Sequence, residues 1–273
     1  MFPKRGALLF DSSGVSLYYC FMSSLVTLCC LFGMVTLPSI GNIILYPISK
    51  KASAAFSDYI VRTVAPRLFA ILSCYKHFRF IGDKRRFGEL PPQFMIISNH
   101  QSLFDIPCYM NYFRDKSLRF VAKAELGRHI PLVSEMLRSQ EHCLIPRRAS
   151  PVTAMKTIED FAKRVLERDQ IPVLFPEGSR TRNGNVGKFY SAGFRKLAEA
   201  TGLPVVVCAL DGGWEIGRLR TIMTNLKNGS YKVTIVKIYD APKTKEAQNA
   251  ILEEAPRLIQ AQLDEWRSGG SAP

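Results

Sequence analysis

The hydrophobic pattern divides this chain into two unlike parts. Between Asp11 and Lys50 no residue is charged, and residues 15–37 form an almost unbroken apolar run. As a helix that run is about 35 Å long at ~1.5 Å per residue, enough to cross a hydrocarbon core of about 30 Å. The competing reading is a buried core helix, although most core helices are shorter. A cleaved leader is disfavoured, because the run is long and no small-x-small site follows it. Pro38 and Gly41 predict a break or kink. A second apolar stretch, 43–48, is interrupted by Pro47, and a longer amphipathic segment runs from Ala52 towards Leu72. The front therefore predicts either one crossing or a re-entrant helical hairpin lying in one leaflet.

From about residue 75 the pattern alternates. Short β-rich runs at 78–81, 94–98, 119–122, 143–145, 172–175, 204–210 and 231–238 are separated by helical stretches, clearest at 103–113, 151–167, 189–200 and 246–266. Pro107 and Pro256 imply a kink or a later start in two of these helices. The alternation predicts an α/β fold, a mixed sheet layered with helices, preceded by the membrane-embedded helix or hairpin. The expected organisation is an anchor with its amphipathic segment at 1–74 and an α/β domain at 75–273. The small polar tail, 268–273, is expected to lack structure.

Composition adds a partner class. Lys and Arg number 37 against 23 Asp and Glu, a formal net charge of +14, which implies an anionic partner such as acidic headgroups, phosphorylated substrates or nucleic acid. Zinc-finger, helix-turn-helix and RNA-binding signatures are absent from the sequence, which argues against nucleic acid. The 7 cysteines are scattered, with no C-x-x-C and no metal spacing, and read as reduced thiols facing the cytosol.

Three strand ends carry candidate chemistry. In Ser98-Asn99-His100-Gln101-Ser102-Leu103-Phe104-Asp105, His100 and Asp105 would lie about 140° apart on one regular helix. They meet only if His100 precedes the helix, with Ser102 as N-cap and Asp105 closing a Ser-x-x-Asp capping box. A carboxylate that orients an imidazole is what a general base needs; alternatively Asp105 only caps. At Phe175-Pro176-Glu177-Gly178-Ser179-Arg180 a turn projects Glu177 and Arg180 where an α/β sheet presents its site; alternatively it is a plain turn with a solvated ion pair. Cys143-Leu144-Ile145-Pro146-Arg147-Arg148 ends a strand in arginines, whose forks suit phosphate oxygens but are more often solvated. In an open sheet His100, Arg147 and Arg180 can converge on one crevice.

Asn-His-x-x-x-x-Asp at 99–105, Ile-x-Arg at 145–147 and Phe-Pro-Glu-Gly-Ser-Arg at 175–180 resemble, in order and spacing, the first three motifs of the glycerolipid acyltransferases. They are most similar to the 1-acylglycerol-3-phosphate (lysophosphatidate) acyltransferase family, over about 75–215. The resemblance implies His100 as the base and Asp105 as its partner. It assigns Arg147, Glu177, Gly178, Ser179 and Arg180 to acceptor binding, and Lys123 to a position where such enzymes often carry a basic residue. Two departures stand out. Ser179 replaces the commoner Thr, keeping a hydroxyl, and Leu203-Pro204-Val205-Val206-Val207 keeps only the first of two prolines in the fourth motif, which bears on the choice of acceptor.

The resemblance implies acyl transfer from a thioester, acyl-CoA or acyl carrier protein, to lysophosphatidate, giving phosphatidic acid, with no metal or other cofactor. The enzyme would be bound to a phospholipid bilayer (a bacterial inner membrane or its equivalent) with its catalytic domain on the cytoplasmic side. Alternatives are acylation of another lysolipid, such as a lyso-ornithine lipid, or of glycerol 3-phosphate; a Cys108–His100 thioesterase; and a non-enzymatic anchored module binding anionic lipid. Backbone N–H groups at a helix start near Ser179 and Arg180 are the expected oxyanion donors.

Overall fold

The computed structural model describes residues 12–128, 133–146, 148–216 and 225–269. Seven strands form one sheet: β1 (Arg79–Asp83), β2 (Met95–Ser98), β3 (Leu118–Lys123), β4 (Cys143–Ile145), β5 (Ile171–Leu174), β6 (Val205–Asp211) and β7 (Ser230–Tyr239). Their spatial order is β1-β7-β6-β2-β5-β3-β4. All neighbours are parallel except β6 and β7, so the sheet is mixed. Each strand falls on one of the β-rich runs of the sequence.

Alternation along the strands feeds two cores. Met95 and Ile97 face one side with Val205 and Val207, against Phe161 of α6 (Pro151–Glu167), Phe194 of α7 (Ser191–Thr201) and Ile259 of the last helix, Lys245–Arg267. Phe94 and Ile96 face the other, with Val206 and Cys208, against Tyr109 and Phe113 from the region of α4 (Asp105–Tyr112) and Met136 of α5 (Val133–Ser139). α4 starts later than its apolar pattern suggested, which leaves Pro107 in the first turn, where its missing N–H costs nothing. The last helix runs unbroken through Pro256.

The front is a helical hairpin, and it corrects the expected break. α1 (Ser12–Ile48) continues through Pro38 and Gly41. A proline inside a helix costs about 3 kcal/mol, and here the return arm offsets that cost. Asn42, buried, donates through Nδ2 to Ser57 Oγ at 2.7 Å and accepts from Ser53 Oγ at 2.5 Å. At its far end Ser23 Oγ donates to Tyr75 O at 2.8 Å. The chain turns instead at Ser49, extended at φ −154°, ψ 110°, whose hydroxyl caps α2 (Lys50–Tyr59). A π-turn (Ile60–Val64) joins α2 to α3 (Ala65–Lys76), and Phe69 and Leu72 of α3 enter the sheet's core. Residues 21–48 are long and apolar enough to cross a membrane, and only 12% of their most apolar window is buried. Phe21, Phe32, Leu37 and Ile48 are among the side chains left exposed. A core helix would have buried them.

Candidate active site

β2, β5, β3 and β4 are adjacent and parallel, so their carboxyl ends share one edge of the sheet. His100 follows β2, Glu177 to Arg180 follow β5, Lys123 ends β3, and Pro146 follows β4. At ~4.8 Å per strand, β5 lies one step from β2 and β4 about 14 Å away. Arg147 falls outside the described residues, and Arg148 beyond it is exposed.

His100 precedes the helix. Its Nδ1 lies 2.6 Å from Asp105 Oδ2, and that oxygen also accepts the amides of Gln101 at 2.7 Å and Ser102 at 3.1 Å. An oxygen that receives two N–H groups is an acceptor, so Nδ1 is the protonated ring nitrogen and Nε2 is left as the basic one. Asp105 is fully buried, and its other oxygen, Oδ1, accepts the Tyr231 hydroxyl. Burial, followed by the charge of Asp105, pushes the Tyr231 hydroxyl well above its ordinary value, which keeps it a donor. Phe175 stacks on the His100 ring at 4.3 Å between centroids and 15° between planes. With side-chain exposure of 17%, His100 reaches solvent from a ring fixed on one face and at one nitrogen.

The capping box is only half formed. The carboxylate of Asp105 does reach back to the Ser102 amide, but Ser102 Oγ accepts Phe104 N at 3.2 Å, and α4 begins at Asp105 itself. The tight turn that carries His100 delays the start of the helix relative to a Ser102 cap.

Glu177 has a structural task. Its Oε1 accepts the His100 amide at 2.9 Å and its Oε2 the Gly187 amide at 3.1 Å, with the residue 6% exposed. Burial raises its carboxyl and the two amides oppose that rise. The His100 carbonyl in turn accepts Thr181 N at 2.8 Å, so the two loops are interlocked through the backbone. Gly178 sits at φ 64°, and a Cβ there would meet nothing within 4 Å, so it is backbone conformation and not crowding that calls for glycine. Gly178, Ser179, Arg180 and Lys123 are exposed on the same edge. The segment from Glu177 to Tyr190 holds no helix, and α7 starts only at Ser191. The expected helix start beside Ser179 and Arg180 is therefore absent; Pro176 and Gly178 turn the chain, and the loop runs on through further bends to Asn185.

A support layer went unseen in the sequence. Asn99 exchanges hydrogen bonds with Leu210, giving Nδ2 to O at 2.8 Å and receiving N to Oδ1 at 2.9 Å. Gln101 accepts Gly213 N at 3.0 Å and donates to Asp211 Oδ1 at 3.2 Å, and Arg267 pairs with the same carboxylate at 2.6 Å. A Cβ on Gly213 would meet the Tyr231 hydroxyl at 2.3 Å and Asp105 Oδ1 at 3.0 Å, so only glycine lets this backbone approach the pair. Asn99 and Gln101 flank His100 and were visible as polar residues at a strand end. Tyr231 sits in an alternating apolar strand, and nothing local marks it.

Cys108 is fully buried within α4, and burial raises its thiol well above the ordinary value. It is not a nucleophile for His100.

Residues 87–211 match the acyltransferase family. That stretch holds His100, Asp105 and the 175–180 loop, and stops before Tyr231 and Arg267. The chain is 32% identical over 127 residues to a 1-acyl-sn-glycerol-3-phosphate acyltransferase of Cocos nucifera, covering 45% of this chain and 40% of that protein. It is 31% identical over 136 residues to the human 1-acyl-sn-glycerol-3-phosphate acyltransferase beta, covering 48% and 47%. A Pseudomonas aeruginosa enzyme of the same name is 32% identical over 119 residues, covering 44% of each. The chain thus matches less than half the length of these relatives. Its fold is similar to that of the 1-acyl-sn-glycerophosphate acyltransferase PlsC from Thermotoga maritima, with a TM-score of 0.62 over 90% of this chain and 97% of that one, at 18% identity.

Proposed function

We propose that this chain is a membrane-bound acyltransferase that moves an acyl group from a thioester to the free hydroxyl of 1-acylglycerol 3-phosphate, yielding phosphatidic acid. The observation that carries the reading is the His100–Asp105 pair, bonded through Nδ1 at 2.6 Å, with Nε2 free at the sheet edge that also bears Lys123 and Arg180. The names of the similar proteins supply the substrate class.

His100 Nε2 takes the proton of the acceptor hydroxyl as its oxygen attacks the thioester carbonyl. Asp105 holds the ring and stabilises the imidazolium that forms. As the C–S bond breaks and the ester forms, the same proton passes to the departing thiolate, so proton and acyl balances close without an acyl-enzyme. Arg180, one strand from His100, is the first choice for the acceptor phosphate, with Lys123 two strands away; Arg147, which follows β4 in the sequence, is a further candidate. Arginine suits the role because its fork meets two phosphate oxygens. α1 lies in the bilayer by its exposed apolar face, and the basic domain faces the cytoplasm, where acyl-CoA and acyl carrier protein are found. The organisation is an anchor over 1–74 and a catalytic domain over 75–273, with the core joined across that boundary by Phe69 and Leu72.

The test is an acceptor panel. Membranes containing the protein receive labelled acyl-CoA or acyl carrier protein with 1-acylglycerol 3-phosphate, lyso-ornithine lipid, glycerol 3-phosphate and a phosphate-free lysolipid. Acylation of the phosphate-bearing lysolipid is expected. Arg180→Ala should raise its KM about tenfold or more, the scale of one hydrogen bond to a charged group, about 1.5–3 kcal/mol. The donor KM should stay near wild type. Arg147→Ala should act in the same direction with less effect. Equal losses for phosphate-bearing and phosphate-free acceptors would remove the clamp, and no transfer to any phosphate-bearing acceptor would end the reading.

A further inference from the structure

The opposite end of the sheet carries a second, separate concentration of positive charge. Where β3 begins, a cleft is lined by Arg119, by Arg114 and Lys116 just before the strand, by Arg62 of the π-turn, and by Asp58 and Gln140. Arg119 is the unusual member. It is 8% exposed, its Nη1 donates to Leu118 O at 2.9 Å, and its buried Nε has no acceptor among the described residues. Burial also lowers its affinity for the proton, the mark of a cation held without full compensation. Nε itself is sealed from solvent, so what Arg119 offers the cleft is the charge of its guanidinium, and a buried charge is costly until it is paired.

The carboxylates nearby offset that charge only in part. Asp58, the only carboxylate among the described lining residues, accepts Gln140 Nε2 at 2.6 Å, and with Glu141 it opposes the effect of burial on Arg119 without cancelling it. Glu141, nearby, is taken by Arg168. Arg62 and Arg114 are exposed and have no carboxylate partner among the described residues. Four cations thus face one carboxylate. The lining includes part of a π-helical turn, a rare geometry that recurs at functional positions, which contributes Val61 and Arg62.

We propose that this cleft is a binding site for a phosphate group, with Arg119 as its floor and Arg62, Arg114 and Lys116 as its walls. A group with several anionic oxygens suits donors arriving from several elements, whereas a carboxylate would leave much of the positive charge unmet. The site is distinct from the catalytic edge. Leu118 pairs with Ile171, and Ile97, three residues before His100, pairs with Leu174, so the two sites lie about 20 Å apart along the strands at ~3.3 Å per residue. A phosphate monoester in solution and the headgroup of an anionic lipid share the required chemistry.

The experiment uses the full chain in neutral detergent micelles, in the Arg180→Ala background so that the catalytic edge is weakened towards phosphate. One arm titrates inorganic phosphate at constant ionic strength and reads the melting temperature. The other dopes the micelles with phosphatidate, with phosphatidylcholine as the neutral control. A saturable rise in melting temperature is expected in at least one arm. Arg62→Gln/Arg114→Gln, on exposed residues that leave the core intact, should weaken the midpoint at least about tenfold, and Arg119→Gln should abolish the response. A response to phosphatidate that inorganic phosphate competes away assigns the site to a headgroup; a response to inorganic phosphate alone assigns it to a soluble ligand. No rise in either arm, or a rise that the double variant leaves unchanged, would overturn the site. Acyl transfer by Arg62→Gln/Arg114→Gln with Arg180 intact is read separately, so that failure here and failure of the acyltransferase reading remain distinguishable.

Discussion

The two ends of the one sheet are built to opposite rules. At the carboxyl edge the buried polar side chains that hold His100 have their partners. Asp105 receives Nδ1 of His100, two amides and the Tyr231 hydroxyl. Glu177 receives two amides, and Asn99 closes a reciprocal pair with Leu210. At the amino end Arg119 keeps a buried donor without an acceptor among the described residues, in a cleft where cations outnumber carboxylates. A satisfied network fixes geometry before the substrate arrives, which is how an active site avoids reorganisation during reaction. A cleft with an excess of one charge leaves interaction energy to be realised on binding. On the two readings proposed above, the difference separates a place for chemistry from a place that holds a phosphate.

The harshest challenge to that contrast is removal of the base. His100→Ala should lose about 10²–10⁴-fold in turnover, the usual contribution of a positioned general acid–base. The fold should persist, because His100 is at the edge of the network and the amide that Glu177 accepts is kept. Single-turnover acyl transfer and a thermal melt on the same preparation check both halves. Activity within a few-fold of wild type would mean that Asp105 is only a helix-start residue.

How far the sequence foretold these two ends depends on how local each signal is. The strands were legible because burial makes each a short apolar run bounded by turn residues. His100 and Asp105 were legible because their partnership is closed within one turn of chain. The course of α1 was not, since Pro38 looks like a stop until Asn42 finds Ser53 and Ser57 on the returning arm. Glu177 looked like a residue for the substrate; only the fold shows its oxygens turned onto the amides of His100 and Gly187. Tyr231 is far from Asp105 in sequence and reads as core. Arg119 reads as the polar member of an alternating strand, and its burial depends on helices from the front of the chain. Long-range partners of this kind leave no periodicity.

Tyr231 sharpens the contrast from within the catalytic end. Tyr231→Phe removes one donor from Asp105 while keeping the ring, its packing and the approach of Gly213. A hydrogen bond to a charged group contributes about 1.5–3 kcal/mol, and part of that should appear as a loss of roughly tenfold in kcat. The informative readout is the split between kcat and KM. The phenol donates to Asp105 and acts only through it, so kcat should fall while the KM of donor and acceptor stays near wild type. A merely structural role for Tyr231 would lower the melting temperature and disturb KM together with kcat.

The smallest effect belongs to the other end, and it concerns stability. His142 is buried beside β3, where its Nδ1 accepts Phe120 N at 2.7 Å and its Nε2 lies 3.3 Å from Gln140 Oε1. An Nδ1 that accepts an amide carries no proton, so the ring is neutral with its hydrogen on Nε2. Burial, with the nearby charge of Arg119 adding to it, pushes His142 down from 6.5 to about 3. The folded value is below the unfolded one, so the unfolded chain binds the extra proton. Stability is therefore full above pH 6.5 and falls as pH drops towards 3, by up to about 1.4 kcal/mol per pH unit for this one group. His142→Gln keeps an acceptor for Phe120 N but cannot titrate. It should be less stable than wild type at about pH 7 through imperfect packing, yet lose less on acidification, so that the two stability curves converge as pH falls from 6.5. Melting temperatures in detergent across that window test the slope difference. Parallel curves would mean that His142 is already protonated in the folded protein, and the neutral ring at the amino end would have to be abandoned.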